Sequence, residues 1–236
     1  MSRTLIEVRG LRYRYDDGAV ALKGVDFRLD EGESVALLGP NGSGKTTFAL
    51  HLNGLLAGEG FVEVCGLAMR KENLRAIRRK VGLVLQDPES QLFMPTVLED
   101  VAFGPLNRGM SAADARARAM DALRTVGLDG AAARAPYHLS AGEKRRAAIA
   151  GVLATDPEVL VLDEPTTFLD PPGQRALMDL LGALPQPKVI VTHNIPLALA
   201  VCGRAVFFQA GAIVAQGPVA DIVDRFDWRV GASRDR

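Results

Sequence analysis

The sequence predicts an α/β fold in which a largely parallel central sheet carries an inserted helical subdomain, and three observations carry that reading. Short aliphatic or β-branched runs recur at 34–38, 81–85, 159–162 and 188–191, each closing in a loop with polar or glycine residues, as buried parallel strands do. Segments of helical composition lie between them, at 45–55, 111–126, 142–154 and 173–183. Residues 88–154 read as predominantly helical with strand-like runs on both sides, the pattern of a helical lobe set into an α/β core.

The elements follow in chain order. The run 34–38 is followed by glycines and then by a helix-forming stretch, so it reads as strand, turn, helix. Ser111, with Asp114 three residues on, forms an N-terminal capping pattern, and Gly127 supplies a stop, which bounds a helix at 111–126. Arg75, Arg78, Arg79 and Lys80 border the strand that begins at Val81. The run Lys144-Arg145-Arg146 reads as a solvated helix face.

Composition bounds the function. A chain of 236 residues with 48% hydrophobic content can bury a sizeable core as one domain with an inserted lobe. Lys plus Arg equals Asp plus Glu at 28 each, so no basic field invites nucleic acid, which is not expected as a partner. Cys65 and Cys202 stand apart without metal-ligand spacing and are expected as reduced thiols, which suits the cytoplasm. Arg3, Glu7 and Arg9 interrupt the N-terminus where a signal peptide would be apolar, so export is not expected. The most apolar long stretch, 195–215, is broken by Cys202-Gly203-Arg204, Gln209 and Gly211 and fails as a membrane span. Any membrane association is expected through a partner.

Residues Gly39-Pro40-Asn41-Gly42-Ser43-Gly44-Lys45-Thr46-Thr47 fit G-x-x-x-x-G-K-[ST] with a strand before and a helix after. Glycines let backbone N–H groups close around phosphates, the helix N-terminus adds positive potential, and Lys45 reaches the β and γ oxygens of ATP. Thr46 is the expected Mg2+ ligand. The strand 159–162 ends in Asp163-Glu164 at the carboxyl edge of the sheet, where such folds bind ligands. Asp163 is expected to hold Mg2+ and Glu164 to polarise the attacking water. Gln86 and His193 each follow a strand, and Gln86 reaches the Mg2+ shell or the water. Together with Glu164 they form the expected catalytic set. His51 and His138 are expected as surface or packing residues.

This set resembles the nucleotide-binding subunits of ATP-binding-cassette transporters over essentially the whole chain. Leu139-Ser140-Ala141-Gly142-Glu143 is similar to the family's signature, Glu164-Pro165-Thr166-Thr167-Phe168-Leu169-Asp170 to its Walker B end and D-loop, and Thr192-His193 to its switch histidine. The resemblance implies a P-loop NTPase with a RecA-like core at about 1–87 and 155–220, an N-terminal antiparallel β part, a helical subdomain at about 88–154 and a short tail at 221–236 that leaves no room for a regulatory domain. It implies a dimer, of two copies or of this chain with a similar ATPase, in which Ser140, Ala141, Gly142 and Glu143 of one subunit close on ATP held by the other. It also implies that an aromatic residue stacks on adenine: Tyr15 is favoured, with Tyr13 on the same strand face as the rival. Residues 86–93 and 96–105, with 143–146 and 148–151, resemble the energy-coupling-factor importers, which implies docking of a transmembrane coupling protein near the stretch from Gln86 to Gly104, a separate substrate-binding membrane protein, and a place on the cytoplasmic face of the membrane. Cobalt or nickel is the expected cargo, with biotin or another vitamin as alternative; a soluble cassette ATPase and a switch that barely hydrolyses ATP are the competing functions. Ala141 departs from the family's glycine and would be strained if its φ were positive. Glu143, Phe168 and Asn194 depart from glutamine, alanine and aspartate.

Overall fold

The computed structural model describes residues 3–228. An antiparallel sheet of four strands, in the order β2-β1-β4-β5, is built from β1 (Thr4–Arg14), β2 (Val20–Asp30), β4 (Glu59–Val64) and β5 (Leu67–Ala68). A second sheet of six strands, in the order β10-β9-β3-β8-β7-β6, comprises β3 (Ser34–Leu38), β6 (Val81–Val84), β7 (Val159–Asp163), β8 (Lys188–Val191), β9 (Arg204–Gln209) and β10 (Ala212–Pro218). All neighbours in it are parallel except the β9–β10 edge pair.

Burial explains the sequence patterns. Every residue of β7 and β8 is buried, so both strands are covered on both faces and read as unbroken apolar runs. In β2 the buried Leu22, Val25, Phe27 and Leu29 alternate with polar neighbours, as in a strand with one wet face. Helix α1 (Lys45–Leu52) is wedged between the two sheets: Phe48 and Leu52 join a core with Leu22 and Phe27 of β2 and Val35 and Leu37 of β3.

A second core lies on the other face of the parallel sheet, under α3 (Val97–Asn107), α4 (Ala112–Thr125), α5 (Ala141–Leu153) and α6 (Pro171–Ala183). Helix α2 (Leu74–Lys80) precedes β6, and α7 (Ile195–Val201) and α8 (Val219–Arg225) flank β9 and β10. The helices between β6 and β7 start at side-chain caps: Thr96 with Glu99 and Ser140 with Glu143 form reciprocal capping boxes, and Ser111 accepts from the Asp114 N–H. Each cap contributes about 1 kcal/mol. Gly127, at φ 65°, closes α4 where the sequence placed its stop. The stretch 195–215 forms α7, β9 and part of β10, and among the described residues no helix is long and apolar enough to cross a membrane. Of the expected tail, 229–236 lies outside the described residues.

Strand order positions the site. With β3, β8, β7 and β6 side by side and parallel, the loops after Leu38, Val191, Asp163 and Val84 all leave the same carboxyl edge. Residues far apart in sequence therefore converge there.

Candidate nucleotide site

The glycines of the loop after β3 are dictated by close approach. A Cβ on Gly39 would lie 2.1 Å from the Phe208 carbonyl oxygen, and one on Gly44 would lie 2.6 Å from the Ala21 carbonyl oxygen; both residues also have positive φ. No other residue fits at either position without moving backbone. The chain thus turns tightly into α1, whose N-terminal residues border a cavity of about 530 Å³ together with Asn41, Gly42, Ser43 and Gly44. A phosphate group suits that helix N-terminus.

Lys45 is 6% exposed, and its ammonium donates to the carbonyls of Gly39 at 2.7 Å and Pro40 at 2.9 Å. Burial pulls its pKa down, opposed by the charges of Glu164 and Asp163. The Thr46 hydroxyl donates to Asp163 Oδ1 at 3.2 Å, which ties the P-loop to the end of β7. Burial pushes the Asp163 carboxyl up, against the Thr46 hydrogen bond and the positive charges of Lys45 and Arg145. This pair of hard oxygen donors fits Mg2+.

Glu164 follows at φ 44°, an uncommon conformation for a side-chain-bearing residue, fixed by its N–H donating to the Val191 carbonyl at 2.9 Å. Its Oε2 accepts the His193 backbone N–H at 3.3 Å, and Oε1 lies 3.2 Å from His193 Nε2. Burial, with the Asp163 charge adding to it, pushes the Glu164 carboxyl up to about 7, against the His193 N–H and Lys45. A base tuned near neutrality is suited to taking a proton from water. Burial, helped by Lys45, keeps His193 below the ordinary histidine range, so its ring is neutral near pH 7.

Gln86 and Tyr15 complete the rim of the same cavity, which Thr167, part of the stretch resembling the Walker B end and D-loop but given no separate role there, also borders. The Tyr15 and Thr47 hydroxyls are 2.9 Å apart. Tyr13 instead sets its ring edge-on to His51 at 4.8 Å and borders a different cavity. His51 is a buried packing residue whose Nδ1 is 2.7 Å from the Thr47 carbonyl oxygen, and His138 is exposed.

The signature residues stand elsewhere. Ser140, Ala141, Gly142 and Glu143 border a separate cavity of about 470 Å³ shared with Phe168, Leu169 and Asp170. Ala141 opens α5 without a positive φ, so the strain considered for it does not arise. A Cβ at Gly142 would meet only Leu169 Cδ2, at an ordinary 3.9 Å. Glu143 is bound inward, accepting the Ser140 N–H at 2.7 Å and pairing with Arg134 at 3.0 Å, which holds its carboxyl below the usual range. Asp170 caps α6 through the Gly173 N–H, and Asn194 caps α7 through the Leu197 N–H. Phe168 takes the strain instead: it sits at φ 66° and is 80% exposed.

One residue contradicts its sequence reading. Arg145, expected on a solvated face, is 1% exposed, and its guanidinium donates to the carbonyls of Leu85 at 2.7 Å and Gln86 at 2.5 Å. The clamp fixes the Gln86 backbone beside the cavity. Its spacing of four from the buried Ile149 was the available signal, since such residues share a helix face.

A strand, a glycine loop with its lysine, a helix, and an acidic pair at the end of a parallel neighbour define a P-loop NTPase. The comparisons narrow this. The ABC transporter family matches residues 22–167. The energy-coupling factor transporter ATP-binding protein EcfA of Methanosphaera stadtmanae is 46% identical over 225 residues, covering 93% of this chain and 81% of that protein. The structure of cbiO1 from Clostridium perfringens, described as part of the ABC transporter complex cbiONQ, superposes with a TM-score of 0.85 at 34% identity, covering 95% of this chain and 92% of that one. The dimeric post-hydrolysis structure of the ATP-binding cassette MJ0796 with ADP and Pi gives 0.82 at 31% identity over 91% of this chain and 99% of that one. The chain belongs to the ABC transporter family, as an ATP-hydrolysing, ATP-binding subunit of energy-coupling factor type.

Proposed function

We propose that this chain works as one half of an ATP-gated dimer that drives an importer through membrane partners. The observation that carries the reading is the separation of its two phosphate-directed surfaces. The P-loop borders one cavity and Ser140 at the start of α5 borders another, so the signature of one subunit serves the P-loop of a second. The chain's own packing gives no reason for glycine at 142, which fits a position that must admit a neighbour's nucleotide. Glu143, committed to its capping box and Arg134, stiffens this surface.

In that dimer the P-loop amides and Lys45 hold the phosphates, Tyr15 stacks on adenine, Glu164 accepts the proton of the attacking water, and His193 holds Glu164 in place. Thr46, Asp163 and Gln86 would hold Mg2+, which supplies charge neutralisation at the β and γ oxygens. Lys45→Ala is expected to weaken ATP binding about 10- to 100-fold, the loss of one charged hydrogen-bonding partner, measured by nucleotide titration.

Complementation tests the shared site. Lys45→Ala chains and Gly142→Asp chains are each expected to be inactive alone. Mixed, they form dimers with one site in which both the P-loop and the signature are intact, and ATPase activity returns. A mixture as inactive as its components would show that each chain carries its own complete site.

The membrane partner is expected in a groove of about 760 Å³ between α2 and the helical insert. Val97 and Val101, within the stretch expected to dock, are core residues, whereas Phe93 is 63% exposed and Phe103 is partly so. These rings meet at 5.0 Å and share the groove with Arg75, Arg78 and Arg79 of α2. An exposed aromatic pair beside a cationic edge suits an amphipathic helix from a coupling protein at the cytoplasmic face of the membrane. A separate membrane protein then selects the cargo, for which cobalt or nickel is the first reading and biotin the alternative. Purification with the membrane partners and identification of the bound metal or vitamin decides between them.

A further inference from the structure

We propose that Trp228 is a positioning residue for His193, so that the end of α8 acts on the hydrolytic edge of the site; the proposal rests on the reading of His193 as the residue that holds Glu164. Trp228 is the only tryptophan in the chain. Its ring centroid lies 6.2 Å from that of His193, with planes tilted 33°, within the range of attractive aromatic pairs. The same ring's Nε2 is 3.2 Å from Glu164 Oε1. The imidazole is thus near both a carboxylate and an indole, and an indole at that distance can limit its tilt.

The indole itself is held firmly. Helix α8 is anchored by the buried Val219, Ile222 and Val223. Asp227 turns the chain back at φ 50°, and the Trp228 N–H donates to the Val223 carbonyl at 2.9 Å, the six-to-one bond of a left-handed helix close. That turn sets Trp228 edge-on to Phe207 at 5.2 Å and 87°, while Phe207 stacks on Phe226 at 3.8 Å. Phe207 pairs in register with Leu38, the last residue before the P-loop. A rigid aromatic tier therefore links the strand that launches the P-loop to the ring beside the catalytic carboxylate.

The full-length chain carries the test. Trp228→Ala is expected to lower kcat about 3- to 10-fold, the worth of one aromatic pair expressed as a rate, with KM for ATP within about twofold of wild type. Trp228→Phe is expected to restore most of the rate, because a ring still meets His193. In a His193→Ala background, Trp228→Ala is expected to leave the residual turnover unchanged. An equal fractional loss in both backgrounds would assign Trp228 a general structural role and overturn the proposal, as would an unaltered kcat in Trp228→Ala. If His193→Ala alone kept full turnover, the role given to His193 would fail first, and the proposal with it.

Discussion

Glu164→Gln leaves ATP bound and lowers kcat by at least about 100-fold, the lower end of what a positioned general base supplies. Glutamine keeps the size and the acceptor for the His193 backbone N–H but takes no proton from water. With hydrolysis blocked, ATP and Mg2+ convert the variant into a stable dimer, seen as doubled mass in solution. Full ATPase activity in this variant would remove Glu164 from the role given to it. The same substitution has a pH signature in the nucleotide-free protein. The folded state holds a proton on Glu164 up to about pH 7, while the unfolded chain releases it near 4.5. Between those values the native state binds more protons, so the wild type loses stability as pH rises. The melting temperature of Glu164→Gln is thus expected to match the wild type near pH 4.5, pull ahead across this window and keep a constant lead above about pH 7.

Arg145→Met is the second large effect, and it falls on stability and turnover together. Methionine fills much of the space but leaves the carbonyls of Leu85 and Gln86 without their charged donor. Breaking such a buried, charge-assisted contact costs about 3 kcal/mol. For a chain of this size that lowers the melting temperature by roughly 6–12 °C. Because Gln86 borders the nucleotide cavity and Lys45 stands on another element, kcat is expected to fall while ATP affinity stays near wild type. Calorimetry and ATP titration separate the two effects.

The contrast between these residues explains what the sequence makes legible. Ser140-Ala141-Gly142 is legible through its resemblance to the family's signature, whereas Gly39 to Thr47 and Asp163-Glu164 are contiguous stretches that local spacing marks as candidates. The capped helix α4 was legible for the same reason. Arg145 reaches a carbonyl 60 residues away, and the role proposed for Trp228 rests on a ring 35 residues away, so both depend on which helix face or turn meets which loop. The N-terminal strands were hard to delimit because β1 shifts register between Val8 and Leu11 and turns through Gly10 at φ 62°, which breaks the two-residue alternation. The antiparallel edge strand β10 begins inside an apolar stretch that read only as a failed membrane span. Glu143 and Asn194 looked like departures, yet each caps a helix.

The sharing of the site proposed above also sets a rate law. A chain that must borrow half of its site hydrolyses ATP in proportion to the square of its own concentration while copies are scarce, and linearly once pairing is saturated. A membrane partner that keeps two copies side by side removes the quadratic regime. Fuel consumption is then tied to assembly, and stray subunits spend almost none.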